Sequence, residues 1–339
     1  MSVRQQSGGV LACIAGACLA LAGGGAAAKP PAGEAAIFNL AAMSDNEFQA
    51  KLAASPGAGL RNHATPHFVL MHTHDEAWAA SMSGFLERLY DNFARASASA
   101  GFAVCKPKTP LMWLCFCDAA AFEKYNSDFE GRGRPAFKSF YSSRTDRVLL
   151  LEAAPTAAIL DDDATRIAHE MAHQLSFNCG LQTRGVMYPL WVSEGLAMLF
   201  ESALLSPDLF AADNPARREQ LRIASEHHRL KPLKEFVLMT QAPVDTEARI
   251  DFYAQAWGLA NMMLREHREA FARYLAILAQ MDGGRRPDAA LAREFQSAFG
   301  DPSTLESRWQ SHLALLNSPQ RGKAPAVSAA LPHTPAPRG

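Results

Sequence analysis

The chain has 339 residues, of which 48% are hydrophobic and 20% charged, a balance that suits a folded protein and excludes a disordered one. At roughly 150 residues per domain the length allows about two domains. A formal charge of −1 gives no electrostatic footprint for nucleic acid or an anionic membrane surface, and no apolar run reaches the ~20 residues of a spanning helix.

In chain order, Arg4 precedes an apolar run from Val10 to Leu21, then Gly23-Gly24-Gly25 and Ala26-Ala27-Ala28. A basic start, a short apolar core and small residues before Lys29 predict a signal peptide over residues 1–28, and hence an exported, periplasmic or secreted protein. Lipid anchoring at Cys13 or Cys18 is disfavoured, since Ala15-Gly16-Ala17 lacks the usual leucine. Four of the six cysteines lie beyond this segment: Cys105, Cys115, Cys117 and Cys179. Export permits disulfides, and sequence does not choose among the three full pairings; Cys105 with Cys115 or Cys117 is the simplest link.

Residues 29–62, rich in Ala, Gly and Pro, read as a flexible arm with one short helix near Asp45–Ala53. A small α/β lobe follows over 63–153. Its predicted elements are a strand at Phe68–Met71, a helix over Glu76–Phe93, a buried strand at Leu111–Cys117, a short helix at Phe122–Tyr125, a loop at Gly131–Pro135 and a strand at Val148–Leu151. From Asp161 the pattern is helical. Asp161-Asp162-Asp163 supplies a cap and Gly180 a stop, with further helices near 190–204, 214–229, 248–266, 268–281, 287–298 and 303–316. Ser303-Thr304-Leu305-Glu306 reads as a capping box opening the last of them. Residues 317–339 carry five prolines and no apolar periodicity, and read as a disordered tail.

Chemistry concentrates at His169-Glu170-Met171-Ala172-His173. Positions four apart on a helix are offset by about 40°, so both imidazoles share a face and can bind one Zn2+ ion, while Glu170 between them can act on a water that the zinc activates. A hydrolytic zinc site needs a third protein ligand and an open position. Ser176 and Cys179 stand where the HExxHxxGxxH pattern needs Gly and His, so that class is excluded. Glu194, in the next predicted helix (Pro189–Ala197), can instead complete a His-His-Glu set. Glu201, one heptad later on the same face, could support a ligand but reads first as a helix-surface or buried paired residue; His72-Thr73-His74-Asp75 could hold a metal but reads first as a loop of surface histidines; His227-His228 reads as solvated on a polar helix; Cys179 reads as a disulfide partner or buried thiol rather than a ligand. By position, the Val148–Leu151 strand is expected to edge the cleft and pair with an extended substrate.

HEMAH followed by WVSEGLA resembles the gluzincin metallopeptidases. The longer stretch from His169 to Glu201 resembles the bacterial peptidase-MA-like family, as do HFVL at 67–70, SFYSSRTDRVLLLE at 139–152 and FYAQAWGLANMMLRE at 252–266. The resemblance spans 63–316 and implies an α+β zincin-like fold, with the N-terminal lobe followed by a mainly helical lobe over 154–316 and the site between them. It also implies peptidase activity on a peptide or protein substrate: His169, His173 and Glu194 hold the zinc, and Glu170 is the catalytic base. A later Tyr donates to the oxyanion in such enzymes, and Tyr253 is the matching candidate; the residues leave open that it packs with Phe252 and Trp257 instead. Two departures stand out. Met198 occupies the position where thermolysin-like enzymes carry Asp, and the exopeptidase GxMEN motif is absent. The rivals are a non-catalytic zinc-bearing envelope protein and a zinc hydrolase of a non-peptide amide such as cell wall.

Overall fold

A computed structural model describes residues 60–130, 138–151, 161–201 and 213–317. The stretches read as a signal peptide (1–28), an arm (up to residue 59), a loop (131–135) and a tail (from 318) lie outside the described residues. The fold is α+β, as expected. Five strands form one mixed sheet in the order β1-β2-β3-β5-β4: β1 (Arg61–Ala64), β2 (Phe68–His72), β3 (Leu111–Phe116), β4 (Ser139–Ser142) and β5 (Arg147–Leu151). β2, β3 and β5 run parallel, and β1 and β4 are antiparallel edges. Two strands were not anticipated. β1 is mostly exposed and begins at Arg61, inside the stretch read as an arm, while β4 is only four residues long.

Period-two alternation divides the sheet between two cores. Phe68, Leu70, Trp113, Cys115, Val148 and Leu150 join the main core, with α1 (Glu76–Ala100) and the later helices. Met71, Leu114, Phe116 and Leu149 face the other way, against Phe122 and Tyr125 of α2 (Ala119–Tyr125) and Phe129 of the π-helical turn at Asn126–Glu130. α1 begins where Asp75 accepts the Trp78 N–H at 2.7 Å and ends at Gly101, whose φ of 74° suits only a residue without a Cβ.

The remaining helices are α3 (Asp161–Asn178), α4 (Leu190–Glu201), α5 (Pro215–Glu226), α6 (Leu233–Phe236), α7 (Thr246–Glu266), α8 (Arg268–Ala279), α9 (Asp288–Phe299) and α10 (Pro302–Asn317). α6, a single turn, was not anticipated. The expected capping box is absent. α10 starts one residue earlier, and Asp301 accepts the Ser303 N–H at 2.8 Å, while Glu306 accepts the Leu233 N–H of α6 at 3.0 Å. Among the described residues no helix is long and apolar enough to cross a membrane.

Gln174, fully buried on α3, fastens that helix to the sheet. Its Oε1 accepts the Trp113 indole N–H at 2.9 Å, and its Nε2 donates to Met112 O at 3.3 Å and Asp146 O at 3.2 Å. Gln174→Leu keeps the bulk but strands a buried donor, so unfolding free energy is expected to fall by about 1–3 kcal/mol in a urea titration. An unchanged midpoint would show that these bonds hold nothing.

No disulfide joins the four described cysteines in this structure. The expected link of Cys105 to Cys115 or Cys117 does not occur. Cys115 is buried in the sheet, Thr73 Oγ1 donates to the Cys117 sulfur at 3.2 Å, and Cys105 lies instead beside Cys179.

Candidate metal centre

α3 carries His169, Glu170 and His173. Ile167, Ala168, Met171, Ala172 and Leu175 bury the rest of its surface, so the polar face can turn only toward α4 and the sheet. α4 is buried along nearly its whole length. Gly195 explains how Glu194 comes close. A Cβ there would sit 2.7 Å from the Ala260 Cβ and 2.9 Å from the Ala256 carbonyl oxygen of α7. Any larger residue would push α4 away from α7 and move the glutamate beside it.

His169, His173 and Glu194 meet as a buried cluster able to hold a metal ion, the single such group among the described residues. The two Nε2 atoms are 3.2 Å apart, His169 Nε2 is 3.4 Å from Glu194 Oε2, and His173 Nε2 is 3.5 Å from Glu194 Oε1. A tetrahedral ion with donors at about 2.0–2.1 Å has donor–donor edges of about 3.3–3.4 Å, so the two imidazole nitrogens and the Glu194 carboxylate, whose two oxygens face one ring each, are close enough to hold such an ion and leave a further position to another ligand.

Charge points the same way. Glu170, Glu194 and Glu201 are all buried, as is Arg217, which pairs with Glu201 at 3.0 Å. Three buried carboxylates gather here, against the Arg217 guanidinium and that of Arg166, which also pairs with Asp163, so a cation suits the site. Burial favours neutral imidazole at His169, yet its bonds to Glu194 and Glu201 outweigh that and raise its pKa. Burial lowers His173, and the charge on neighbouring His169 lowers it further. Two imidazoles in contact thus share one proton, and a metal would displace it.

Glu201 is the residue that sequence reasoning undervalued. It is buried rather than on the surface, and it is bonded to His169 Nδ1 at 2.8 Å, which leaves Nε2 of that ring as the metal-facing nitrogen. Asn214 Nδ2 donates to its other oxygen at 2.7 Å. Burial alone would raise the Glu201 carboxyl; the Arg217 guanidinium, then His169, bring it down to about 2. Glu201 stands one helical turn beyond Met198, the position empty of Asp, on the same face of α4. Its position relative to Glu194 was the available signal. Nothing in the sequence distinguishes Arg217 from Arg218 beside it. Glu201→Gln is expected to weaken metal binding by about 10–100-fold in competition with a chromophoric chelator. Unaltered affinity would remove Glu201 from that role.

Glu170 points toward β4. Tyr141 N–H donates to its Oε2 at 2.8 Å, and Ser139 Oγ reaches Oε1 at 3.4 Å. Burial pushes its carboxyl up to about 7, against the pull of His169 and the Tyr141 N–H. A carboxylate held near neutrality suits proton transfer. The strand beside it is β4, the sheet edge; β5, expected in that place, lies between β3 and β4. Tyr253 on α7 is buried, with Arg217 over its ring at 5.8 Å and Phe252 edge-on at 5.7 Å. The guanidinium that pairs with Glu201 thus lies over the Tyr253 ring.

The other histidines stand apart from the cluster. His72 and His74 are buried rather than on a surface loop, His74 stacking on Trp78 at 3.7 Å between ring centres. His227 and His228 are exposed past the end of α5, as expected.

Residues 163–282, which include His169, His173 and Glu194, match the model of a family described as a protein of unknown function, DUF1570. Comparison with curated proteins finds no match.

Proposed function

We propose that this chain is an exported zinc-dependent hydrolase of the gluzincin type, most simply a peptidase resembling the peptidase-MA-like family. The observation that carries this reading is the buried cluster of His169, His173 and Glu194, able to hold a metal ion, with a buried carboxylate, Glu170, on the same helix as the two imidazoles. Zinc is the metal proposed because two neutral imidazoles and one carboxylate with an open corner suit its hydrolytic sites. Bound there, zinc would supply Lewis acidity toward a carbonyl and lower the pKa of a water.

The chain's own residues supply the rest. Glu201 holds the His169 ring, and Asn214 and Arg217 hold Glu201. Glu170 Oε2 is occupied by the Tyr141 N–H, while Oε1 has only the long Ser139 contact. Oε1 is therefore the atom proposed to accept the proton of the attacking water and to return it to the leaving nitrogen. Edge strand β4, which borders Glu170, is the strand proposed to lie alongside an extended peptide. Tyr253 remains the proposed oxyanion donor, acting from its place beside Arg217.

The testing experiment is digestion of an unbiased peptide library, with and without a chelator. Cleavage that the chelator stops and zinc restores is expected. No cleavage of peptides, with chelator-sensitive release of amine from cell-wall fragments, would favour the non-peptide amide; inactivity on both, with metal retained, would favour a non-catalytic role.

A further inference from the structure

We propose that Cys105 and Cys179 are joined by a disulfide in the mature protein, fastening the C-terminal end of α3 to the segment that leads into β3. The Cys105 N–H donates to the Cys179 carbonyl at 2.9 Å. A main-chain bond of this kind sets two Cα atoms about 5–6 Å apart, inside the range that disulfides span. The Cys105 sulfur lies 3.6 Å from where a Cβ on Gly180 would be, so it is turned toward this corner, and Gly180, at φ +89°, leaves the space open. The alternatives are poorly placed. Cys115 is four residues into β3, about 13 Å along the strand from Leu111, and Cys117 is held with Thr73 across the strand ends.

The bond needs an oxidant of the disulfide class, such as a thiol–disulfide oxidoreductase or oxidised glutathione. The Cys105 thiolate attacks the oxidant's disulfide and displaces one of its thiolates. The Cys179 thiolate then attacks the mixed disulfide at the Cys105 sulfur, closing the protein bond and releasing the second thiolate. Two electrons pass to the oxidant, and the protons lost by the two cysteines end on its thiols or in solvent. The export expected from residues 1–28 would bring the chain to where such oxidants act. Cys105 is exposed and accessible to the oxidant; Cys179 is buried, and burial pushes its thiol up to about 12. Its attack is therefore fast only before this corner packs, which makes the bond a staple laid during folding rather than a switch in the finished protein.

The staple has a place in the architecture. Residues following Cys179 connect α3 to α4, where the Gln182 N–H donates to Ser176 O at 2.8 Å and its Nε2 to Ser193 Oγ at 2.8 Å. Ser193 precedes Glu194, so the bond anchors the connection that sets the two ligand-bearing helices against each other.

The test uses the full chain refolded with reduced and oxidised glutathione, denatured, alkylated without reduction, digested and weighed by mass spectrometry. The expected result is a linked pair of peptides containing Cys105 and Cys179, separated by reductant, with Cys115 and Cys117 alkylated. Alkylation of both Cys105 and Cys179, or linkage of Cys105 to Cys115 or Cys117, would overturn the proposal. Cys105→Ser, at an exposed position, is expected to lower Tm by roughly 5–15 °C in oxidising buffer and not at all in dithiothreitol, with Cys105→Ser/Cys179→Ala falling little further. A Tm for Cys105→Ser equal to that of wild type in oxidising buffer would also overturn it.

Discussion

His169→Ala is expected to take bound metal from about one equivalent per chain to none, measured by elemental analysis of protein purified and dialysed under metal-replete conditions. The substitution removes one of three residues whose donor atoms approach one another at 3.2 to 3.5 Å. Two remaining protein donors do not make a hydrolytic site of the three-ligand kind. It also strips Glu201 of its imidazole partner, although Asn214 and Arg217 still satisfy that carboxylate, so the helix pair is expected to fold. A thermal scan gives the independent readout. Metal that binds only the folded chain stabilises it by about 4 kcal/mol at a thousandfold excess over Kd. Chelator should therefore lower the Tm of wild type and leave His169→Ala where it is. A wild type without metal under these conditions would sink the metal reading altogether.

Glu170→Gln is expected to keep the metal and lose turnover by about 10²–10⁴-fold, the span that a positioned general base supplies. The amide oxygen can still accept the Tyr141 N–H, so the local geometry at β4 persists. Only the capacity to take a proton disappears. Metal content equal to wild type together with a collapse of kcat is the signature. Retained turnover would dismiss Glu170 as the base, while lost metal would recast it as part of the site's charge balance.

Legibility differed by residue. The spacing of His169 and His173 is a property of one helix, and tertiary context could not alter which face they share. Glu194 required a second helix to arrive from the right side, and only its place in the chain order was legible beforehand. What brings it there is the tight crossing at Gly195, where Ala256 and Ala260 leave no space for a side chain. Glu201 sat in plain view on the same face of α4, yet a lone carboxylate there looks like any surface glutamate until Arg217 and Asn214 close over it. β4 escaped notice because four residues carry little period-two signal, and with it went the correct edge of the sheet: Val148–Leu151 is an interior strand. His72 and His74 followed a strand, which suggested a loop, but the packing of α1 buries them.

The α+β class, the helix that presents two imidazoles and a carboxylate, and the main elements around it can be read from the chain alone, since each follows from spacing and apolar period within a short stretch. Which strand borders Glu170, which carboxylate supports His169, where Tyr253 stacks and which cysteine neighbours which emerge only on packing. The reason is physical. Those relations join residues as far apart as Cys105 and Cys179, or Trp113 and Gln174, and depend on how buried surfaces fit once helices and sheet are pressed together, a property of no single segment.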